Sequence, residues 1–403
     1  MIHRFLVNNF QSIREDVELD LRIPGTTPEM SCFRGSHSRP DIRLPSVVIL
    51  VGPNGSGKTA LLRAMKVTFR FAAVSYRHHH SDSTGEFIPF LSSETITAPT
   101  RIEIEFDVSW LDSGSGKANS LLRYTLVLAR EGEPGLPPTV EYEALHAFPK
   151  GRPRRVLERS RDEPIYISRE LGVRPHDDRL SCIPSNASVI SALAEMEAGI
   201  FPEISDDIGD VQTNLYGSDP WWPDMETVTR FYQEKPDLLD KVSDQLQRLD
   251  LGIGGIQLLQ LGDGQWKLVL DHPDLGTSLL LARESAGTRH LVRIFPSLRL
   301  VLDAGHLVVT DALDSGFHPD LSAEVLGWFR QERTNPRNAQ LICTLQNLSV
   351  LDDLEKEEVF IVQKDQHGGT HVHGARDVAG LRRDGNLQKQ YRSGSMGGLP
   401  VFG

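Results

Sequence analysis

The sequence predicts an α/β fold that combines a mixed sheet with an antiparallel β meander and carries a helical insertion. Three patterns lead to this fold class. Apolar residues alternate in segments between about 100 and 145, helical periodicity dominates 170–250, and the last third alternates helices with strands. We therefore divide the chain into an N-terminal part at 1–169, a helical insertion at 170–250 and a C-terminal part at 251–403.

The bulk composition is that of an ordinary globular protein. The 403 residues are 39% hydrophobic and 24% charged, which is enough for a well-buried core. The net charge of −12 argues against a generally basic protein that coats nucleic acids, although a local basic stripe stays compatible with it. The three cysteines form no CxxC pair, and no apolar run approaches the roughly 20 residues of a membrane helix. We expect a cytoplasmic protein.

The N-terminal elements follow from their apolar patterns. The first 23 residues predict two strands, since apolar side chains alternate from Val17 to Ile23. The continuous apolar run Ser46–Val51 is typical of a strand buried on both faces. It leads into the glycine-rich stretch GPNGSGKT, and the helical spacing of apolar residues after it predicts an amphipathic helix.

This glycine-rich stretch matches the phosphate-loop pattern G-x-x-x-x-G-K-[ST], and a strand and a helix flank it as the pattern requires. Glycines let the backbone wrap phosphates so that successive N–H groups point inward, at the positive end of a helix. The lysine reaches the β- and γ-phosphates and the threonine hydroxyl ligates Mg²⁺. A chance glycine-rich turn is the alternative. The predicted nucleotide-binding residues are Gly52, Pro53, Asn54, Gly55, Ser56, Gly57, Lys58 and Thr59.

The remaining elements complete the α/β pattern. Three alternating segments after residue 100 predict the meander, and the pattern around Gly262–Gly264 predicts a hairpin. A helix is expected from about Thr288 and another at about Asp320–Gln331. Strands are expected at 306–311, 340–344 and 358–362.

Three stretches of the sequence together resemble ABC-type AAA ATPases of the SMC, RecF and OLD kind. They are FLVNNFQSI near the N-terminus, the Pro-Asn inside the phosphate loop, and ESAGTRHL. The likeness is greatest to ATPases of bacterial phage-defence and abortive-infection systems of the AbiL, RloA, PtuA and OLD type. DALDSGFHP, QLICTLQNLSVLDD and the C-terminal end carry it, whereas the middle of the chain matches loosely. The resemblance implies an ABC-type P-loop NTPase head that binds ATP and Mg²⁺ and assembles as a head-to-head dimer or higher oligomer.

The resemblance also assigns roles to residues outside the loop. Ser285-Ala286-Gly287 matches the signature that opens a helix and caps the γ-phosphate held by the partner subunit. A plain helix N-cap by Ser285 is the alternative. Asp311 matches the Walker B aspartate that orders Mg²⁺.

Three positions depart from the family pattern at the catalytic centre. Ala312 stands where the family has the glutamate that polarises the attacking water, and losing a positioned base costs about 10²–10⁴ in rate. Gln346 replaces the histidine that ends the switch strand and contacts the γ-phosphate. Gln11 replaces a lysine or arginine near the phosphates, with Arg14 three positions on.

Three explanations of Ala312 stay open. It is an engineered substitution that traps the nucleotide-bound state, or a natural feature of a slow or inactive ATPase. Alternatively, another group takes over the role of the base, with Asp314 and His318 nearest in sequence. Gln11 and Gln346 favour naturally slow hydrolysis.

Basic groups at 150–161 and 382–392 allow two interpretations. Clustered arginines contact the backbone of DNA or RNA, or they form a solvated face or a site for an acidic partner.

The resemblance implies a nucleotide-gated sensor or regulator subunit of an anti-phage defence system. Such a subunit controls a separately encoded effector, a nuclease or a toxin. A RecF- or SMC-like, ATP-gated DNA-binding repair protein and a non-hydrolysing ATP-dependent scaffold are the alternatives.

Overall fold

Two large β-sheets dominate the fold. The computed structural model describes residues 1–78, 84–112, 116–130, 138–161, 163–216, 219–220, 223–249, 252–262 and 264–399. The strands are β1 (Ile2–Asn8), β2 (Val17–Asp20), β3 (Phe33–Gly35), β4 (Arg43–Pro45), β5 (Val47–Val51), β6 (Thr100–Asp112), β7 (Gly116–Ala129), β8 (Thr139–Ala147), β9 (Arg154–Ser160), β10 (Tyr166–Ile167), β11 (Gln212–Thr213), β12 (Leu215–Tyr216), β13 (Asp219–Pro220), β14 (Gly255–Gln260), β15 (Trp266–His272), β16 (Thr277–Leu280), β17 (Leu307–Thr310), β18 (Gln340–Thr344), β19 (Val359–Lys364) and β20 (Thr370–Gly374). The α-helices are α1 (Lys58–Val74), α2 (Val189–Glu195), α3 (Phe201–Gly209), α4 (Met225–Glu234), α5 (Pro236–Arg248), α6 (Ala286–Ala304), α7 (Pro319–Arg330) and α8 (Leu387–Arg392).

The central sheet has six strands in the order β11-β17-β18-β5-β19-β20. The first five run parallel and β20 pairs antiparallel to β19. The loops that follow β17, β18 and β5 therefore emerge at one edge, where ligands of parallel sheets usually bind. The α/β fold class and the mixed sheet predicted from the sequence are confirmed.

The second sheet is the predicted antiparallel meander. Its seven strands follow the order β10-β9-β8-β7-β6-β1-β2. The two N-terminal strands close one end of it, since β1 pairs with both β2 and β6. The predicted hairpin is also confirmed as β14 and β15, which pair antiparallel, although Asp263 in its turn lies outside the described residues.

Two hydrophobic cores lie on opposite faces of the central sheet. Alternate residues of β5 enter each one: Val48 and Leu50 belong to the first core, and Val47, Ile49 and Val51 to the second. The first core also contains α1 and the inner face of the meander, and the second contains α6 and α7. The strand predicted to be buried on both faces is therefore confirmed.

Capping residues set the ends of the helices that flank β17. The Ser285 side chain accepts a hydrogen bond from the backbone of Thr288 at the start of α6, and Gly305 ends this helix at φ +81°. The next helix, α7, has Pro319 at its first position, where no backbone N–H is needed. In sequence, β17 thus lies between two helices whose ends are fixed by capping residues.

The helices of the middle segment divide between the two cores. The α2 and α3 helices pack on α1 in the first core, whereas α4 and α5 contribute to the second. Between the two pairs, β11 adds a parallel edge strand beside β17. The boundaries at 169 and 250 stay predictions.

Within the described residues, no helix is long and apolar enough to cross a membrane. The cysteines Cys32, Cys182 and Cys343 are all free.

Candidate functional site

The predicted phosphate loop connects β5 to α1, at the edge of the central sheet where the parallel strands end. Two of its glycines are required by close backbone contacts. A Cβ on Gly52 would lie 2.0 Å from the carbonyl oxygen of Val362, and one on Gly57 would lie 2.1 Å from Thr370 Oγ1. Gly57 also has a φ of +107°, which favours glycine. The loop therefore forms a tight backbone cradle that suits phosphate groups.

The Lys58 side chain folds back over this loop. Its Nζ donates to the carbonyl oxygens of Gly52 at 2.7 Å and Pro53 at 3.0 Å. Burial lowers the pKa of the Lys58 ammonium, and the negative charge of Asp311 partly offsets this shift. The ammonium is thus held against the backbone of the loop.

Hydroxyl groups from distant segments brace the same loop. Thr370 Oγ1 lies 2.9 Å from the carbonyl oxygen of Ser56 and 2.8 Å from Ser12 Oγ. The Ser56 hydroxyl itself is buried and has no hydrogen-bond partner among the described residues. A buried donor without a partner fits a loop that receives a polar ligand.

Thr59 and Asp311 form the centre of the site. Asp311 follows β17, which is separated from β5 by β18 in the sheet, and Thr59 Oγ1 donates to Asp311 Oδ2 at 2.5 Å. The Thr344 hydroxyl, at the end of β18, donates to Asp311 Oδ1. A hydroxyl beside a carboxylate supplies the hard oxygen ligands that Mg²⁺ prefers, so these residues fit a magnesium ion.

Asn214 was not found from the sequence, and neither was Thr344. Asn214 Nδ2 donates to the carbonyl oxygen of Asp311 at 2.8 Å, and Asn214 Oδ1 accepts from the Asp311 N–H at 2.9 Å. An asparagine 97 residues before Asp311 carries no local signal of this contact. Thr344 ends a predicted strand, which alone does not distinguish it from any other strand end.

Ala312 follows directly and has a left-handed backbone, with φ +49°. Its N–H donates to Thr344 Oγ1 at 2.8 Å. No carboxylate stands at this position, because the methyl group is the whole side chain.

The two suggested substitutes for the missing base have other contacts. Asp314 is buried, and its carboxylate accepts from the backbone N–H groups of Gln346 at 2.9 Å and Asn347 at 2.8 Å. His318 caps α7 through a bond from the Asp320 N–H at 3.3 Å, and its side chain is 74% exposed. Asp314 thus anchors the loop after β18, and His318 points to solvent. These contacts argue against a base role for either.

Gln346 and Gln11 are both held through their backbone N–H groups. Gln346 is exposed and follows β18, in which Thr344 lies opposite Leu50 of β5. Its position is therefore at the same sheet edge as the phosphate loop. Gln11 has a φ of +49° and donates its backbone N–H to Ile88 at 2.8 Å. Arg14, the cation nearest to it in sequence, pairs with Glu94 at 2.7 Å.

The predicted signature packs against the segment that follows Asp311. A Cβ on Gly287 would lie 2.6 Å from the carbonyl oxygen of Gly316. One turn later, His290 Nε2 lies 3.0 Å from the carbonyl oxygen of Leu313. Ser285 is exposed, and its hydroxyl bonds to Thr288 as a helix cap. The cap geometry suits both the signature role and the plain N-cap.

Three arginines of the basic group at 150–161 have partners within the chain. Arg154 pairs with Glu170, and Arg155 pairs with Glu158 at 3.1 Å. Arg159 is buried and donates to two backbone carbonyls. In the C-terminal group, Arg383 pairs with Glu355 and Glu357, both at 2.5 Å. Arg154, Arg155, Arg159 and Arg383 therefore have partners within the chain, and both interpretations of the basic groups stay predictions.

Comparison with known families agrees with this site. The sequence profile described as "AAA domain, putative AbiEii toxin, Type IV TA system" matches residues 47–171 and 191–352, more than half of the chain. The chain belongs to this family. The matched segments of this AAA domain include β5, the phosphate loop, Asp311 and the loop after β18. The AAA-domain part of the predicted resemblance is thereby confirmed.

Solved structures of similar proteins include SMC heads with low sequence identity. The SMC head domain from Thermotoga maritima is 14% identical, with a TM-score of 0.40 over 93% of this chain and 98% of that one. The SmcHead bound to the C-winged helix domain of ScpA is 10% identical, with a TM-score of 0.47 over 92% and 97%. The Smc head with an extended coiled coil, bound to the C-terminal domain of ScpA derived from Pyrococcus furiosus, is 11% identical, with a TM-score of 0.45 over 97% and 98%. No curated protein matches the chain.

Proposed function

We propose that this AAA family member is an ATP-binding, ABC-type ATPase and the nucleotide-gated sensor or regulator subunit of a bacterial anti-phage defence system. In this role it controls a separately encoded effector, a nuclease or a toxin. One observation supports the proposal: the phosphate-loop backbone, Lys58, Thr59 and Asp311 lie together beside Ala312, whose side chain has no carboxylate. The family description, with its reference to toxin–antitoxin systems, supports the defence role.

The binding half of the proposal rests on the loop and on Asp311. The backbone of Gly52–Gly57 would surround the phosphates, and Lys58 would exchange its carbonyl partners for phosphate oxygens. Thr59 and Asp311 would hold Mg²⁺, which when bound neutralises phosphate charge. None of these residues depends on the side chain at position 312, so we expect ATP to bind well.

Slow hydrolysis follows from the residues around Ala312. Its methyl group accepts no proton, and Asp314 is occupied by the backbone of the loop after β18. Gln346 can orient a water through hydrogen bonds but cannot take its proton. The rate of ATP turnover should therefore be about 10²–10⁴-fold lower than with a positioned carboxylate.

The switching half of the proposal rests on the start of α6. Ser285 is exposed at a helix N-terminus, which is a site for anions. In a head-to-head dimer, Ser285 and Gly287 of one subunit would cap the nucleotide of the other. Occupancy of both sites would then hold the dimer, and the dimer would hold or release the effector.

ATP turnover tests this proposal directly. We expect Ala312→Glu to raise turnover by about 10²–10⁴. The matched control Ala312→Gln, of similar size without a base, should leave it low. Bound nucleotide and oligomeric mass are recorded on the same samples.

The other outcomes separate the alternatives. If ATP holds the subunits together and Ala312→Glu adds no turnover, the scaffold hypothesis is correct. Turnover stimulated by DNA would instead favour the RecF-like alternative. A wild-type chain that retains no ATP would refute the proposal.

A further inference from the structure

Asn214 stands at the point where the edge strand β11 meets Asp311. Gln212 and Thr213 pair with Val308 and Val309 of β17, and the chain then leaves the sheet. Asn214 follows, and it is 1% exposed. Its side-chain amide bonds both the N–H and the C=O of Asp311, at 2.9 and 2.8 Å. The carboxamide therefore takes the place of a neighbouring strand just where the pairing of β11 ends.

These two bonds fix the main chain of a residue whose side chain is fixed separately. Thr59 holds one carboxylate oxygen of Asp311, and the Thr344 hydroxyl holds the other. If the main chain of Asp311 shifted, rotation about its side-chain bonds alone could not return the carboxylate to its position. Asn214 thus fixes the main-chain position of Asp311, which the hydroxyls of Thr59 and Thr344 do not fix.

We infer that Asn214 is a positioning residue for the magnesium-binding carboxylate and sets the apparent Mg²⁺ affinity of the nucleotide site. The inference rests on the proposed nucleotide-binding function. Mg²⁺ demands near-ideal octahedral geometry, so a small displacement of Asp311 weakens its binding. The phosphate loop belongs to other elements, so binding of metal-free ATP should not depend on Asn214.

The test measures how binding of a fluorescent ATP analogue to the full chain depends on the Mg²⁺ concentration. A parallel measurement in EDTA gives the affinity for the analogue without metal. We expect Asn214→Ala to raise the Mg²⁺ concentration at half-saturation by about tenfold. Mutation of a residue that orients a metal ligand typically lowers the metal affinity about 10–100-fold. Affinity in EDTA should stay unchanged. Asn214→Leu should shift the midpoint in the same direction, since it keeps about the same shape without adding charge but loses both bonds to Asp311.

Asn335 provides a matched control. It is also buried, and its side chain makes three backbone bonds: to Phe329 and Ala339 carbonyls at 2.8 Å each, and from the Ala339 N–H at 2.7 Å. These bonds join α7 to the start of β18, at the end of that strand remote from Thr344. Asn335→Ala should therefore lower stability and leave the Mg²⁺ midpoint in place.

The possible outcomes separate a failure of the role inferred for Asn214 from a failure of the proposed nucleotide-binding function. If either folded Asn214 variant binds Mg²⁺ and ATP with the wild-type midpoint, the inference alone is wrong. Equal shifts in Asn214→Ala and Asn335→Ala, or an equal loss in EDTA, would also overturn it, because Asn214 would then act only on stability. A wild-type chain that binds no ATP in either condition refutes the proposed function, and the inference fails with it.

Discussion

The side chains of Thr59 and Asp311 meet although 252 residues separate them: the Thr59 hydroxyl donates to Asp311 Oδ2 at 2.5 Å. The contact exists because β17 and β5 flank β18 as parallel strands of the central sheet and end at the same edge. The Thr344 hydroxyl, at the end of β18, bonds the second carboxylate oxygen. The site is therefore assembled by strand order, and the middle strand contributes to its geometry.

Thr344→Val should destabilise the protein and weaken Mg²⁺-dependent ATP binding. It removes the hydroxyl that donates to Asp311 and accepts from the Ala312 N–H. Leaving buried polar groups without a partner costs about 1–3 kcal/mol of unfolding free energy. Urea denaturation measures this loss. Thr344→Ser keeps the hydroxyl and should recover most of the magnesium dependence, and equal effects of the two substitutions would contradict the role given to the hydroxyl.

Ala312→Gly should stabilise the protein slightly. Ala312 has φ +49°, a conformation that costs a residue with a Cβ about 1–2 kcal/mol. Glycine avoids this cost but loses about 0.5–1 kcal/mol of chain entropy, so the expected gain is about 0.5 kcal/mol. In α2, where the backbone is helical, Ala194→Gly should instead lower stability by about 1 kcal/mol. Thermal denaturation of both variants gives the comparison, and a loss in Ala312→Gly would show that the strain is absent.

Gly57→Ala should weaken ATP binding by about tenfold or more. The new Cβ would lie 2.1 Å from Thr370 Oγ1, so the loop or β20 must move. Gly55 has a similar left-handed backbone, with φ +77°, but a Cβ there would meet none of the described atoms within 4 Å. Gly55→Ala therefore controls for backbone strain without the collision. Calorimetric titration with ATP should separate the two variants, and equal losses would show that strain alone limits binding.

Local motifs explain how much of this site the sequence could predict. The phosphate loop is one continuous stretch, and Asp311 follows a short apolar strand, so both carry a signal that needs no knowledge of the fold. Asn214 and Thr370 carry none. Each acts through a contact across the sheet, and the sheet order that creates it is a property of the whole chain.

The middle of the chain shows the same limit. The helical periodicity within 170–250 indicates apolar faces but not the surfaces they cover. The α2 and α3 helices pack on α1 in the first core, and α4 and α5 contribute to the second core on the other side of the central sheet. The basic residues at 150–161 are visible in the sequence, whereas the carboxylate and carbonyl partners of Arg154, Arg155 and Arg159 are not. Charge can be counted from a sequence, but its neutralisation depends on packing.

Acid should destabilise the protein through His290. Burial lowers the pKa of the His290 imidazole from its ordinary value of 6.5, while the bond to the Leu313 carbonyl partly offsets this. Below pH 6.5 the unfolded chain therefore binds a proton that the folded chain resists, and stability falls as pH falls. His290→Gln can still donate to Leu313 but does not titrate. Urea midpoints between pH 7.5 and about 5 should fall less steeply in this variant, and parallel slopes would assign the acid sensitivity to other groups.

ATP should join two subunits through Ser285. The residue is exposed at the start of α6, and the proposed dimer places it against the nucleotide of the partner subunit. Ser285→Arg fills that space, so the variant should bind ATP normally but stay monomeric, whereas wild type should roughly double its mass with ATP. Lys58→Ala should lose both binding and assembly, and Ser395→Arg, an exposed serine on the C-terminal segment, should lose neither. Light scattering with bound nucleotide measured on each peak tests all four proteins. A Ser285→Arg chain that still dimerises with ATP would leave Ser285 as a plain helix cap and remove the basis for a shared site.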